Sequence, residues 1–314
     1  MGDYVTTPYA NSLFEQPWWL DIVAPGMWRE AIVKEGNEVI ARLPYCYTKE
    51  KIFMPPLTQT LGPWIKPEFR MQMRGNTQLS KQKEIVSRLL EQLPQFKSFN
   101  MHLDSVNDYV LPYRWKGFRY EPSFSYRIRD LQDIEKVHSN IHKQVQKNIN
   151  KYEKESIVSY ENDANVLIDL MNKTFSAQNR KNPIDNCLIK KIVDVCSSRN
   201  NGQMFIAKDR DFNIQVCAFL VYDERCAYAL LSGSNPEYRG SGSKSLIYWR
   251  EIEYAQKYTN QFDFEGSNIE GIENIIRQFG GDRIVYYHII KQSYLHDCID
   301  LIKPRIKKTI GYKI

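Results

Sequence analysis

The chain has 314 residues, of which 42% are hydrophobic and 25% charged, and its formal net charge is +6 at pH 7. This is the composition of a globular protein and excludes a low-complexity or disordered chain. No apolar run approaches the roughly 18 residues that a membrane-spanning helix needs, and no basic-then-apolar leader is visible, so we expect a cytoplasmic protein.

The cysteines and histidines give no sign of a metal site. None of the six cysteines forms a CxxC pair, and most lie in apolar segments, which predicts buried free thiols. His138 and His142 are four residues apart, but no glutamate follows His138 as the helix of a zinc protease requires. We therefore expect no metal ion and no tightly bound cofactor.

The first half of the chain is predicted to contain strands, two internal helices and a proline-rich loop. That loop, residues 55–63, is either a stiff surface loop or one wall of a substrate cleft. The elements in order are an amphipathic helix with Trp18 and Trp19, strands at 28–33, 39–47 and 51–54, a helix beginning at Ser80, a strand at 99–103, a helix at 107–115 and a strand at 120–128.

A basic helical segment follows at residues 136–152 and is predicted to be one long helix. Apolar residues recur along it at helical spacing, and Lys143, Lys147 and Lys151 lie on the opposite face. These lysines are candidate ligands for a polyanionic substrate, although a solvated helix face explains them equally well.

The second half repeats the order of the first: three strands, a helix, a strand, a helix and a strand. Two further helices precede this repeat, and a basic helix is predicted after it. The elements are helices at 164–178 and 185–198, antiparallel strands at 203–208, 214–222 and 226–232, a helix at 241–258, a strand at 262–265, a helix at 269–279, a strand at 283–291 and a helix at 294–308.

The segment between the third of these strands and the following helix is a candidate phosphate-binding loop. It comprises Arg239, Gly240, Ser241, Gly242, Ser243 and Lys244. Glycines let backbone N–H groups approach an anion, and the helix N-terminus adds partial positive charge. The segment fits neither a Walker A loop nor a dinucleotide GxGxxG. The alternative is a flexible Gly-Ser turn that binds nothing.

Two carboxylates, Asp263 and Glu265, are the candidate catalytic residues. They are two apart on a predicted central strand, so both side chains project to one face. A buried carboxylate with a raised pKa could take the proton from an attacking amine. The alternatives are a salt bridge or, for Glu265, a cap on the next helix.

These motifs resemble an acyltransferase family. The segment with Arg239 and Gly242 resembles the acyl-CoA loop of the GNAT fold, with Lys244 in place of its last small residue. The tandem order, the lysine helix and the segment 262–267 together resemble the FemABX-like peptidoglycan bridge-forming proteins, over nearly the whole chain. The resemblance implies an α/β (α+β) fold of two tandem GNAT-like domains with a helical insertion, at residues 1–133 and 134–314.

The resemblance also implies an activity. We expect an acyl or aminoacyl group to move from acyl-CoA or aminoacyl-tRNA, as co-substrate, to an amine of a cell-envelope or glycan precursor. Lysine-rich segments would suit tRNA phosphates. In the implied fold, backbone N–H groups near residues 229–233 would bind the carbonyl oxygen of the acyl donor and stabilise the oxyanion. The alternatives are a CoA-dependent N-acetyltransferase acting on a small amine or amino sugar, and a non-catalytic module that binds RNA or an anionic glycan.

Overall fold

The structure is a computed structural model that describes residues 5–72, 75–266 and 268–292 and, of residues 71 and 72, only the backbone. These residues form two compact units. The first unit contains the described residues up to Pro122 and those from Tyr286 onward, and the second unit runs from Ser123 to Val285.

The first unit is built on a mixed sheet. Its strand order is β1-β2-β3-β5-β12, and β4 pairs with β2. All of these neighbours are antiparallel except β3 and β5, which are parallel. The strands are β1 (Trp28–Glu35), β2 (Glu38–Thr48), β3 (Lys51–Phe53), β4 (Trp64–Ile65), β5 (Ser98–His102) and the second part of β12 (Asp282–Gln292).

The described residues of this unit contain three α-helices, α1 (Pro17–Val23), α2 (Gly75–Glu91) and α3 (Leu111–Trp115), of which α2 packs on β1 and β2 and α3 packs on α2. Both tryptophans of α1 are buried, and the Trp19 ring packs edge-on against Phe14, as expected for large aromatics that fill a core. The apolar face of α2 buries Ile85, Val86 and Leu89.

The second unit has an equivalent sheet with the strand order β6-β11-β10-β9-β8-β7. Strands β7 to β10 form an antiparallel meander, and β10 then pairs in parallel with β11. The strands are β6 (Arg119–Ile128), whose first residues belong to the first unit, β7 (Ile157–Ser159), β8 (Gly202–Lys208), β9 (Ile214–Tyr222), β10 (Ala227–Ser234) and β11 (Phe262–Asp263).

Six helices pack on or beside this second sheet. α6 contacts β10 and β9, whereas α5 packs against α8, which in turn lies on β8 and β9. The helices are α4 (Ile134–Asn140), α5 (Lys143–Glu155), α6 (Ala164–Ser176), α7 (Asn186–Ser198), α8 (Ser243–Ala255) and α9 (Glu270–Ile276).

The repeated order of elements is confirmed, and each unit takes its last strand from the other repeat. β12, at the end of the second repeat, pairs with β5 of the first unit, while β6, at the end of the first repeat, pairs with β11 of the second. The ranges 1–133 and 134–314 therefore follow the repeat along the chain and do not coincide with the compact units.

Three predicted helices differ from the structure by a break or by at least four residues at one end. The segment 136–152 is not one helix, because the backbone N–H of His142 donates to the carbonyl of Gln278 and α4 ends before α5 begins. The helix predicted at 107–115 begins only at Leu111. The helix predicted from Ser80 begins five residues earlier, at Gly75. The basic helix predicted at 294–308 lies outside the described residues.

The described part of the chain has mostly buried cysteines and no group of three or more possible metal ligands. Four of its cysteines are buried free thiols as predicted, and Cys187 is exposed. No cluster of three histidine, cysteine or carboxylate side chains placed to hold a metal occurs among the described residues. None of the helices in the described ranges is long and apolar enough to span a bilayer.

Candidate active site

Asp263, the last residue of β11, is a buried carboxylate that lies in an ion pair. Its Oδ2 accepts from Nε of Arg127 on β6 at 2.9 Å, and Nη2 of the same guanidinium is also 2.9 Å away. Its Oδ1 accepts from the Ser125 hydroxyl and, at 2.8 Å, from the backbone N–H of Glu265. Both guanidinium nitrogens contact the same carboxylate oxygen, and charge-assisted hydrogen bonds of this kind are stronger than those between neutral groups. The carboxylate of Asp263 therefore orders the chain that follows β11.

Glu265 differs from Asp263 in both conformation and charge. It lies beyond the end of β11 with a left-handed φ of +59°, so it does not share a strand face with Asp263 as predicted. Its Oε1 is buried and accepts no hydrogen bond from the described residues. Burial raises the pKa of Glu265 well above its ordinary value, and the charge of Asp263 raises it further. Both effects favour the neutral, protonated carboxyl of Glu265 over its carboxylate.

The turn that carries Glu265 is fixed by a close backbone approach. The next residue, Gly266, has a φ of +40°, and a Cβ placed on it would lie 2.1 Å from the carbonyl oxygen of Phe124. Only glycine fits this position. The backbone at Glu265 is therefore fixed twice, by the close approach of Gly266 to β6 and by the hydrogen bond from the Glu265 N–H to Asp263.

The pairing of strands β10 and β11 ends at Asp263, so the two strands separate before Glu265. The pairing covers Ala227 with Phe262 and Tyr228 with Asp263, and no further pair occurs among the described residues. Just past this point, β10 has a bulge, since its register with β9 shifts between Ala229 and Leu231. A bulge re-aims backbone groups and is common beside active sites. The segment predicted to bind the oxyanion, residues 229–233, therefore lies where the β11 side of β10 has no paired strand among the described residues.

The predicted phosphate loop, Arg239–Lys244, leads into the N-terminus of α8. We call it the anion loop. Arg239 and Gly240 are exposed, Gly240 has a φ of +82°, and a Cβ there would meet nothing within 4 Å. The hydroxyls of Ser241 and Ser243 are 2.7 Å apart. The Nζ of Lys244 lies 5.6 Å from the centre of the Tyr248 ring. The exposed first half of the loop is thus open to an anion.

Gly242 has a packing role that the sequence did not reveal. A Cβ on it would lie 2.7 Å from the Tyr152 ring and 2.8 Å from the Cβ of Asn148, both on α5. Glycine at this position therefore lets the lysine-bearing helix approach the N-terminus of α8. Helix α5, which carries the three lysines, therefore lies next to the anion loop.

Lys143, Lys147 and Lys151 are all exposed on α5, whose opposite face buries Val145 and Ile149. Lys151 lies 3.8 Å from Glu155 in an exposed ion pair and 5.3 Å from the Tyr152 ring centre. Exposed pairs of this kind contribute little to stability, so the stripe remains available to a polyanion.

A cavity of about 480 Å³ opens beside the anion loop within the second unit. One side is polar and includes Arg239, Ser241 and Lys244, whereas the facing side includes Ile272 and Ile275 of α9. Both isoleucines are 42% exposed, which leaves an apolar surface for a ligand to cover. The end of β10 and the end of α6 complete the lining. A ligand with a charged phosphate end and an apolar arm fits such a lining.

One buried carboxylate near this loop was missed by sequence reasoning. Glu251 on α8 is 0% exposed, and neither of its carboxyl oxygens accepts a hydrogen bond from the described residues. Burial raises its pKa to about 8, and the charge of Lys244 offsets part of that effect. Its position on the buried side of α8, between Ile247 and Ala255, was the available signal.

The comparisons with known proteins concern the fold. No protein-family model matches the sequence, and no curated protein matches it. The structure is similar to that of FemX, with a TM-score of 0.65, 13% identity and coverage of 93% of this chain and 96% of FemX. It is also similar to L-PGS from Bacillus licheniformis, with a TM-score of 0.54, 11% identity and coverage of 95% and 92%.

A third similar structure is a tandem GNAT protein from the clavulanic acid biosynthesis pathway. Its TM-score is 0.51 at 9% identity, with coverage of 85% of this chain and 83% of that protein. Identities this low establish the fold and leave the reaction open. The chain has the fold shared by FemX and the tandem GNAT proteins, as its repeated element order predicted.

Proposed function

We propose that the protein is an acyltransferase that moves an acyl or aminoacyl group from a phosphate-bearing donor to an amine. The observation that carries this proposal is the open edge of β10 next to a cavity that joins a basic loop to an apolar helix face. The fold shared with FemX and a tandem GNAT protein supports the same reaction class.

The donor phosphates are assigned to the anion loop. Exposed Arg239 offers a guanidinium, and Gly240 leaves the backbone accessible to an anion. The N-terminus of the 13-residue α8 adds favourable partial charge. The apolar arm of the donor would lie on Ile272 and Ile275 and lead its carbonyl toward the bulge of β10, where backbone N–H groups could stabilise the developing oxyanion.

Glu265 is assigned as the general base and Asp263 as a positioning residue. The amine nitrogen attacks the donor carbonyl, its proton passes to the Glu265 carboxylate, and the leaving sulfur or oxygen takes up a proton as the acyl bond breaks. A carboxyl whose pKa lies well above its ordinary value is a stronger base once ionised, which suits it to an amine proton. No covalent enzyme intermediate is required.

Two donor classes fit the second unit, namely acyl-CoA and aminoacyl-tRNA. The cavity at the anion loop favours a compact donor such as acyl-CoA. The exposed lysines of α5, a helix that contacts Gly242, favour a tRNA whose phosphates extend beyond the loop. Neither donor is expected to remain bound as a resident cofactor.

The acceptor is proposed to be an amine of a cell-envelope or glycan precursor. This part rests on the resemblance to the Fem peptidoglycan bridge-forming proteins and on the fold likeness to FemX and L-PGS. The second candidate function is a CoA-dependent N-acetyltransferase acting on a small amine or amino sugar, which the compact cavity favours.

Donor binding to the purified protein separates these alternatives. We expect acetyl-CoA to raise the melting temperature if it is the donor, because a ligand that binds only the folded state stabilises it. Arg239→Ala should abolish that shift, whereas Arg225→Ala, an exposed arginine in the β9–β10 turn, should leave it intact.

Retention of bulk aminoacyl-tRNA on filters at two salt concentrations forms the second arm. Salt-sensitive retention that Lys147→Ala and Lys151→Ala weaken, without a shift from acetyl-CoA, assigns aminoacyl-tRNA as the donor. Binding of either donor without transfer to any amine would instead assign a non-catalytic binding module. Binding of neither donor would contradict the proposal.

A further inference from the structure

The turn between β8 and β9 reaches the anion loop from outside the cavity. Asp209 begins this turn, and its Oδ2 accepts a hydrogen bond of 2.6 Å from the hydroxyl of Tyr238. Tyr238 directly precedes Arg239, and its carbonyl accepts from the backbone N–H of Ser241 at 3.0 Å. Tyr238 also lines the cavity. The Tyr238 hydroxyl therefore links the turn to the residue that directly precedes the anion loop.

The carboxylate of Asp209 is already fixed by its own turn. Its Oδ1 accepts from the backbone N–H groups of Asp211 and Asn213 at 2.9 and 2.8 Å, and its Oδ2 accepts from Nδ2 of Asn213 at 3.1 Å. These bonds and the one from Tyr238 lower the pKa of Asp209. The turn thus presents a rigid, ionised acceptor to Tyr238.

The same turn contains strained backbone and a second contact. Phe212 is 70% exposed and has a left-handed φ of +64°, a conformation that bulky residues rarely adopt. The neighbouring Arg210 donates from Nη2 to the carbonyl of Lys154, in the last turn of α5, at 2.8 Å. The turn therefore holds both elements assigned to the donor, the anion loop through Tyr238 and the lysine helix through Arg210.

We propose that Asp209 is a positioning residue for donor binding, which acts through Tyr238 to hold the anion loop in the conformation that receives the donor phosphate. This inference rests on the proposed function and adds to it a residue outside the cavity. An ordered loop binds more tightly because it loses less conformational freedom on binding. Asn235 separately caps the helical turn Pro236–Tyr238 by accepting from the backbone N–H of Glu237, so we expect removal of Asp209 to loosen the loop without unfolding the unit.

The first test measures the loop without any ligand. Hydrogen exchange of the backbone amides of residues 239–243 should accelerate roughly 10-fold in Asp209→Asn and in Tyr238→Phe, since each loses a charge-assisted hydrogen bond. Asp211→Asn, in the same turn, and Tyr258→Phe, a partly exposed tyrosine elsewhere, are the controls and should exchange like the wild type. Equal exchange in all five proteins overturns the inference.

The second test measures donor affinity and turnover with acetyl-CoA and, separately, with aminoacyl-tRNA. The dissociation constant of the donor that the wild type binds should rise roughly 10-fold in both variants, with kcat changed less than 2-fold and the double variant no weaker than either single one. A wild type that binds neither donor defeats the proposed function itself. If the wild type binds a donor and the Asp209 and Tyr238 variants bind it with the same affinity, only the role of Asp209 is contradicted.

Discussion

Glu251 gives the sharpest stability prediction, because its carboxyl is fully buried and its folded-state pKa is about 8 against an ordinary value of 4.5. At pH 4.5 the folded protein keeps this proton. As the pH rises from 4.5 to 8, the unfolded chain releases the proton and the folded chain holds it, so the free energy of unfolding falls across this window. The rise in the pKa of Glu251 corresponds to a loss of about 5 kcal/mol in the free energy of unfolding, at roughly 1.4 kcal/mol per pKa unit.

Glu251→Gln removes the ionisable group and keeps the shape of the side chain. The variant should resemble the wild type near pH 4.5, and its stability relative to the wild type should increase steadily up to pH 8, where about 5 kcal/mol is the upper limit. Its melting temperature at pH 8 should then rise on the order of 10 °C, since each kcal/mol is worth about 2–4 °C in a chain of this size.

Thermal unfolding of both proteins between pH 4.5 and 8.5 is the assay, and Glu253→Gln, a partly exposed glutamate on the same helix, is the matched control. Glu15 in the first unit also has a pKa raised to about 8, mainly by burial, so the wild-type curve contains its contribution. Only the difference between variant and wild type reports Glu251. A difference that stays constant over the pH range, or that favours the wild type at pH 8, refutes the reasoning.

The remaining predictions concern packing and charge pairing in the second unit. Gly233→Ala places a Cβ 2.4 Å from the backbone nitrogen of Met171, so the melting temperature should fall by an amount corresponding to at least about 2 kcal/mol, and an unchanged value would contradict the packing. Arg127→Met removes the guanidinium from buried Asp263 and should destabilise the unit by about 3–5 kcal/mol in chemical denaturation, an effect that Asp263→Asn should partly relieve. Gly242→Ala should displace α5 and weaken donor retention several-fold, and full retention with unaltered melting would count against the close approach.

Much of the fold could be predicted from local sequence patterns. Strand and helix periods are properties of neighbouring residues, and they gave the element order of both repeats. The partner of a strand is not such a property, so nothing in the alternation of β6 or β12 reveals that the two repeats exchange last strands. The break between α4 and α5 likewise depends on Gln278, which is 136 residues from His142 along the chain.

The chain position of the candidate residues could be predicted, and their geometry less so. Glycines after a strand mark a turn into a helix, and Arg239 to Lys244 do form the turn after β10 and the first residues of α8. It placed Asp263 and Glu265 on one strand face, although the close approach of Gly266 to β6 ends the strand between them. The roles of Arg127 and Asp209 depend on partners that only the fold brings near.

Detection of an acylated amine by mass spectrometry tests the proposed reaction most directly. The purified protein would be incubated with acetyl-CoA or bulk aminoacyl-tRNA and a panel of amine acceptors that includes amino sugars and envelope precursors. We predict a mass increase of an acceptor with the wild type, and a rate lower by roughly 10²–10⁴ with Glu265→Gln at unchanged donor affinity. An acceptor that is acylated equally fast by Glu265→Gln, or no acylation of any acceptor by a wild type that binds its donor, would contradict the account.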